Sequence, residues 1–161
     1  MMAGISLRRS GAALAVLALA GCMAMPEALR TVLPAGDPAR LMPVGSTWAV
    51  TAIARTALPA ENGMLLRREG RQRLVGTTAC NQFEARLAHR GRAIAVEDLS
   101  ITERACLGHP AQQEAALVAA LAGIDGVAPG MQGGIVLTRG GEGIVALSQV
   151  MPPPPVPKAA R

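Results

Sequence analysis

Residues 83–96, FEARLAHRGRAIAV, contain the pattern that decides the fold of this chain. From Phe83 to Leu87 apolar and charged residues alternate, which is the period of a strand with one buried face. Gly91 then supplies a turn residue before the second apolar run at 93–96. Two short strands joined by a glycine turn predict an antiparallel hairpin.

Similar short apolar runs lie on both sides of this hairpin. They occupy residues 48–53, 64–68, 71–77, 135–137 and 144–147. Glu69-Gly70 separates the second run from the third, and we expect Gly70 to supply the positive φ of a tight turn. The glycine-rich segment 140–143 separates the last two runs in the same way. Several short strands at close spacing predict a curled antiparallel sheet or small barrel.

One helix is predicted between Pro110 and Gly123. Proline suits the first turn of a helix, and glycine suits the position just past its end. Leu117 and Leu121 recur at helical spacing, so this apolar stripe is expected to cover one opening or face of the sheet. The predicted fold class is therefore mainly β or α+β, a small curled or barrel-like antiparallel sheet with one packed helix.

The start of the chain has the features of an export signal. A basic pair at 8–9 precedes a short apolar run at 11–20, which ends in the sequence LAGC at 19–22. This ending resembles the lipobox of bacterial lipoproteins, whose cysteine receives diacylglycerol before the leader is removed. The resemblance implies a signal peptide over 1–21 and lipidation of Cys22.

A lipid on Cys22 implies a membrane anchor in the bacterial cell envelope, with the domain facing the periplasm. Met23 is not the acidic retention signal known from enteric lipoproteins, which favours the outer membrane. Two alternatives stay open at this point. One is an ordinary secreted protein with a cysteine at its cleavage site, and the other is export through the twin-arginine route.

Composition divides the remainder into three segments. Prolines interrupt residues 22–43, which predicts a flexible tether. Residues 44–150 have the composition of a globular domain. Four consecutive prolines begin the segment 151–161 after Met151, which predicts a disordered tail with polyproline II character.

The chain has 161 residues, a formal net charge of +5 and only 1% aromatic residues. Trp48 is therefore a predicted packing anchor of an otherwise aliphatic core. Arginines concentrate at 67–92, which predicts either a positive sheet face for anionic lipids or an acidic partner, or an ordinary solvated surface. Nucleic acid is not an expected partner, because an exported chain with so few aromatic residues lacks stacking groups.

Several separated residues together resemble one family, the META domain of HslJ-type heat-shock lipoproteins. The resemblance spans residues 44–150 and depends on two motifs, ACNQF at 79–83 and TERAC at 102–106, followed by a glutamate-led helix and two closing strands. The motif residues are Trp48, Gly76, Asn81, Phe83 and Thr102. Ala79 stands where the family usually has glycine. The resemblance implies a compact barrel-like sheet in the envelope and an association with stress tolerance or drug resistance.

Cys80 and Cys106 form an even pair once Cys22 carries lipid, and an oxidising periplasm favours a disulfide between them. Two buried free thiols are the alternative. A metal site with His109 lacks an obvious fourth ligand. A thiol nucleophile paired with His89 or His109 needs a third orienting group that the sequence does not identify.

The predicted function is a non-enzymatic envelope lipoprotein, without a cofactor, whose domain binds an envelope protein or small ligand during stress. This follows from the lipid anchor, the family resemblance and the lack of a catalytic pattern. One alternative is a thiol-redox protein or other enzyme that uses Cys80 and Cys106. Another is a structural lipoprotein domain of a larger assembly.

Overall fold

The computed structural model describes residues 33–151. Within that range the strands are β1 (Thr47–Ile53), β2 (Thr56–Ala57), β3 (Leu65–Arg68), β4 (Arg73–Thr77), β5 (Gln82–Arg90), β6 (Ala93–Ile101), β7 (Gly126–Pro129), β8 (Ile135–Arg139) and β9 (Glu142–Gln149). The helices are α1 (Pro38–Leu41), α2 (His109–Leu121) and a 3₁₀ turn at Met131–Gly133. No helix in this part of the chain has the length and apolar character needed to cross a membrane. The predicted signal peptide, Cys22 and the prolines of the tail lie outside the described residues.

The strands form one curled antiparallel sheet in the order β6-β5-β4-β3-β1-β9-β8-β7, with β2 paired to β1. The sheet curls so that β6 and β7, the strands at its two edges, approach each other. Ile94 N in β6 donates to the carbonyl oxygen of Asp125, the residue before β7, at 3.1 Å. Helix α2 packs on β1 and β9. The predicted fold class is confirmed.

Two of the three predicted turns have the expected geometry. Gly91 has φ +65° between β5 and β6, and Gly140 and Gly141 have φ +58° and +78° between β8 and β9. The expectation of a positive φ at Gly70 is wrong. The link between β3 and β4 is longer, with Glu69 N donating to Arg73 O at 3.1 Å, so the chain reverses without a left-handed residue there.

The core fills the inside of the curled sheet. Trp48 is 2% exposed, and its Nε1 donates to Ser46 Oγ at 2.8 Å, which confirms it as a packing anchor. Helix α2 adds Leu117 and Leu121, both fully buried. Phe83 is also buried, and most of the other large buried side chains are aliphatic and come from strands across the sheet, among them Leu66, Leu74, Leu87, Val127, Leu137 and Val145.

Part of the segment predicted as tether belongs to the fold. Leu33 N donates to Gly141 O at 2.9 Å, and Gly36 N donates to Val127 O at 2.7 Å. Helix α1 follows, with Asp37 Oδ1 accepting from the backbone N of Ala39 at 3.0 Å as an N-cap. Met42 is only 1% exposed. The packed chain therefore begins before residue 44, and the predicted tether over 22–43 is too long at its C-terminal end.

Candidate functional site

A buried polar network surrounds Asn81 at the start of β5. Asn81 is 4% exposed, and its Oδ1 accepts from Thr102 Oγ1 at 2.9 Å and from Arg104 N at 2.8 Å. Its Nδ2 donates to Glu114 Oε1 at 3.0 Å. One amide side chain thus connects the sheet, the segment after β6 and helix α2. The two motifs predicted from the sequence meet at this residue.

Thr78 completes the network. Its buried hydroxyl accepts from Asn81 N at 2.7 Å and donates to the Glu114 carboxylate. Within residues 33–151, every buried side-chain nitrogen and oxygen has a hydrogen-bond partner. Because its buried polar atoms are already paired within the protein, the network is suited to hold α2 and the loop before it against the sheet.

Cys80 and Cys106 form a disulfide beside this network, with their Cα atoms 6.3 Å apart. The predicted pairing is confirmed. The bridge attaches the loop before α2 to the start of β5, as Asn81 does one residue further along. While the bridge is intact, neither sulfur is a thiolate for nucleophilic attack or metal binding. Among the residues described, no group of three or more His, Cys, Asp and Glu side chains is placed to hold a metal ion.

The two histidines considered from the sequence lie in different elements. His89 lies near the end of β5, where its Nε2 is 2.9 Å from Arg71 O. His109 begins α2 and lines an apolar groove of about 440 Å³ between the helix and the β1–β2 hairpin. Within the described part of the chain, the contacts of His89 and the groove beside His109 include no cysteine.

Gly76 and Phe83 are paired across β4 and β5. The Phe83 ring lies directly over the glycine, and a Cβ at position 76 would collide with the Leu65 carbonyl oxygen and lie 2.5 Å from Phe83 Cε1. Only glycine permits this close approach. Gly76 therefore has a packing role that could not be inferred from its position in a strand alone.

An open trough of about 690 Å³ lies on the outer face of β3 to β6. We call it the trough; it is lined by Thr47, Leu65, Arg67, Glu69, Arg73, Val75, Gly76, Thr77, Gln82, Phe83, Glu84, Ser100, Ile101 and Thr102. Arg73 Nε lies 2.8 Å from Glu84 Oε1, and the hydrogen bond and charge of Glu84 raise the pKa of the arginine. Leu65 and Ile101 are 37% and 39% exposed. The trough therefore combines paired charges with exposed apolar surface.

The arginine-rich stretch does not form one positive face. Arg68 is 4% exposed and lies two residues after Leu66, so both side chains are on the inner side of β3. Its Nη1 donates to Met42 O at 2.6 Å and to Pro38 O at 3.1 Å, and burial lowers the pKa of the guanidinium. Arg86 pairs with two carboxylates on β6. Of the two alternatives drawn from the sequence, the structure favours an ordinary solvated surface over a strongly positive sheet face, because most of these side chains are buried or paired.

Sequence reasoning missed three of these polar residues. Thr78 carries no signal beyond its place in a loop, and Arg68 is marked only by its alternation with Leu66. Glu114 was noted only as the glutamate that leads the predicted helix, and its carboxylate binds Thr78 and Asn81.

The curled sheet, the crossing helix and the bridged motif loop define a class, a small β half-barrel domain with one disulfide. The chain belongs to the META domain family, whose family model matches residues 40–150. A comparison with curated protein sequences finds no match. Among solved structures, the chain is similar to an NMR structure of a protein from Burkholderia xenovorans, with a TM-score of 0.58 and 19% sequence identity. That alignment covers 92% of this chain and 100% of the other, and at this identity the likeness shows the fold alone.

Proposed function

We propose that this META domain protein is a lipid-anchored, non-enzymatic envelope lipoprotein that binds a small ligand or an envelope protein in the trough. The observation that carries the binding role is the trough itself, which joins two exposed arginines, two carboxylates and exposed aliphatic side chains. The lipobox at 19–22 and the basic start of the chain support the anchor. A role in stress tolerance is inferred from the family.

The charges of the trough suit a ligand that carries both an anionic group and an apolar part. Arg73 lies 3.4 Å from Glu69 and 2.8 Å from Glu84, and its side chain is 55% exposed. An exposed ion pair is worth only about 0–1 kcal/mol, so a ligand carboxylate or phosphate can replace one partner at little cost. Leu65 and Ile101 then offer contact for the apolar part.

The hydrogen-bonded network around Asn81 supports a structural role for the motif residues and a non-enzymatic domain. The disulfide is the observation that favours a second candidate function, a thiol-redox protein that uses Cys80 and Cys106. A redox titration separates the two functions. A reduction potential below about −300 mV is expected for a structural bridge, whereas a much higher potential would favour the redox candidate.

Ligand binding is tested by thermal shift of the purified protein against envelope lipids, hydrophobic antibiotics and purified envelope proteins. Arg73→Ala should abolish the shift produced by a true ligand. Arg86→Ala is the matched control, because Arg86 is also an exposed, ion-paired arginine of the same sheet but does not line the trough. No shift with any of these compounds, together with unchanged stress tolerance after deletion, would contradict the proposal.

The anchor is tested separately by mass spectrometry of the protein isolated from its native host. The expected mature N-terminus is a diacylated Cys22, and Cys22→Ser should leave the protein unlipidated. An unmodified Cys22 thiol, or a retained leader in the cytoplasm, would contradict the anchor without affecting the trough.

A further inference from the structure

Arg68 brings three segments together at one end of the sheet. Its guanidinium donates to the carbonyl of Pro38 in α1, to that of Met42 just after α1 and, at 3.2 Å, to Arg71 O in the β3–β4 link. It also lies 3.2 Å from His89 Nε2, close to the β5–β6 turn. We call this end of the molecule the arginine end and define it by α1, the links at 69–72 and 91–92, the loop at 130–134, and Val150 and Met151 after β9.

Three arginines of the arginine end are exposed and lack an ion pair among the residues described, Arg40, Arg71 and Arg92. The nearby acids are already engaged. Asp37 caps α1, and Glu69 faces two other arginines. The arginine end therefore carries an excess of positive charge, unlike the outer face of the sheet.

Exposed apolar side chains project from segments of the same end of the molecule, beside Arg40. Arg40, Pro43, Gly130 and Gln149 line one groove of about 330 Å³, so α1 faces the 130–134 loop and the end of β9 across it. The large side chains that project from these segments are Val44, Met131, Val150 and Met151, and they are 55%, 87%, 40% and 84% exposed. Adjacent cationic and exposed apolar groups are the combination that binds the interface of an anionic bilayer.

We infer that the arginine end rests on an anionic lipid bilayer, with its arginines on lipid phosphates and Met131 and Met151 in the interface. Guanidinium groups bind phosphate oxygens in a bidentate fashion, and unbranched methionine side chains adapt to an irregular surface. The inference rests on the proposed anchor at Cys22 for bringing the domain to the membrane. Leu33 is eleven residues after Cys22, so the intervening chain spans at most about 40 Å and keeps the domain close to the bilayer.

The test uses the full chain with Cys22→Ser, which removes the anchor, and vesicles of phosphatidylglycerol and phosphatidylethanolamine in equal parts. Arg71→Gln/Arg92→Gln in this background should weaken partitioning by about fivefold per arginine, or roughly 25-fold together. Arg55→Gln/Arg104→Gln is the matched control, because it removes the same charge outside the arginine end and should change partitioning little. Binding should also weaken as the salt concentration rises.

Hydrogen exchange locates the contact independently of the leader, which all these variants share. Anionic vesicles should protect the backbone amides of 69–72 and 130–134, and phosphatidylcholine vesicles should not. Equal partitioning of the two double variants, equal protection by both kinds of vesicle, or protection only by an acidic envelope protein would overturn the inference. A lipidated Cys22 with no such protection would leave the proposed anchor standing and refute only the contact of this surface with the bilayer.

Discussion

Replacing Asn81 with alanine should lower the free energy of unfolding by about 3–4 kcal/mol. The substitution removes three hydrogen bonds of 3.0 Å or less, to Thr102, Arg104 and Glu114. Each is worth about 1 kcal/mol net, and the loss is larger where a buried partner is left unpaired. Because a domain of this kind has a total stability of about 5–15 kcal/mol, the effect is large enough to measure precisely.

The assay is urea denaturation followed by the fluorescence of Trp48, which is 2% exposed in the folded state and becomes solvated on unfolding. The disulfide stays oxidised in every variant, so that the unfolded states remain comparable. Gln82→Ala is the control, since Gln82 is the exposed neighbour of Asn81 and its loss should change stability by no more than about 0.5 kcal/mol.

A loss of less than about 1 kcal/mol for Asn81→Ala would refute the reasoning, because it would mean that the network adds little to the attachment of α2. Asn81→Asp gives a second measurement. It keeps the acceptor for Thr102 but replaces the donor to Glu114 with a carboxylate, so it should destabilise at least as much as alanine at neutral pH. A stable aspartate variant would show that this donor does not matter.

Three further changes test other parts of the structure by the same urea assay. Gly76→Ala should cost about 1–3 kcal/mol through overpacking, and adding Phe83→Leu should recover part of the loss; no loss would refute the close approach. Arg68→Met should cost about 3 kcal/mol because it leaves buried carbonyls unpaired, and a neutral outcome would count against that role. Cys80→Ala/Cys106→Ala should cost about 3–4 kcal/mol for a bridge between residues 26 apart. Thiol titration of the unfolded, unreduced wild type should find no thiol from this pair, and two would exclude the bridge.

Local patterns predicted seven of the nine described strands, the longer helix α2 and two of the three turns correctly, but not β2, β7 or α1. The alternation of apolar and charged residues from Phe83 to Leu87 predicts that one face of β5 lies in the core, and this depends only on neighbouring residues. The glycines at 91, 140 and 141 supply the positive φ that tight turns require. The prediction of a positive φ at Gly70 was wrong because the four-residue link between β3 and β4 needs no residue with a positive φ. The cysteine pair was predictable because only two remain once Cys22 is assigned to lipid.

The polar contacts were not predictable in the same way. Alternation shows which face a residue occupies but not which distant residue lies opposite. Thr78 and Glu114 meet only because the curl of the sheet and the crossing of α2 bring them together. Two carbonyls that accept from Arg68 lie in a segment that the sequence predicts as tether, and no local feature of prolines 38 and 43 shows that the chain between them packs.

By itself, therefore, the sequence determined the strand periods, the helix, the family and the number of cysteines available for pairing, because each depends on residues that are neighbours in the chain or on a simple count. Only the tertiary structure decided which charges are buried, which are paired and which remain exposed at the arginine end. Those outcomes depend on distances between segments far apart in the chain, and these distances exist only once the sheet has curled around its core.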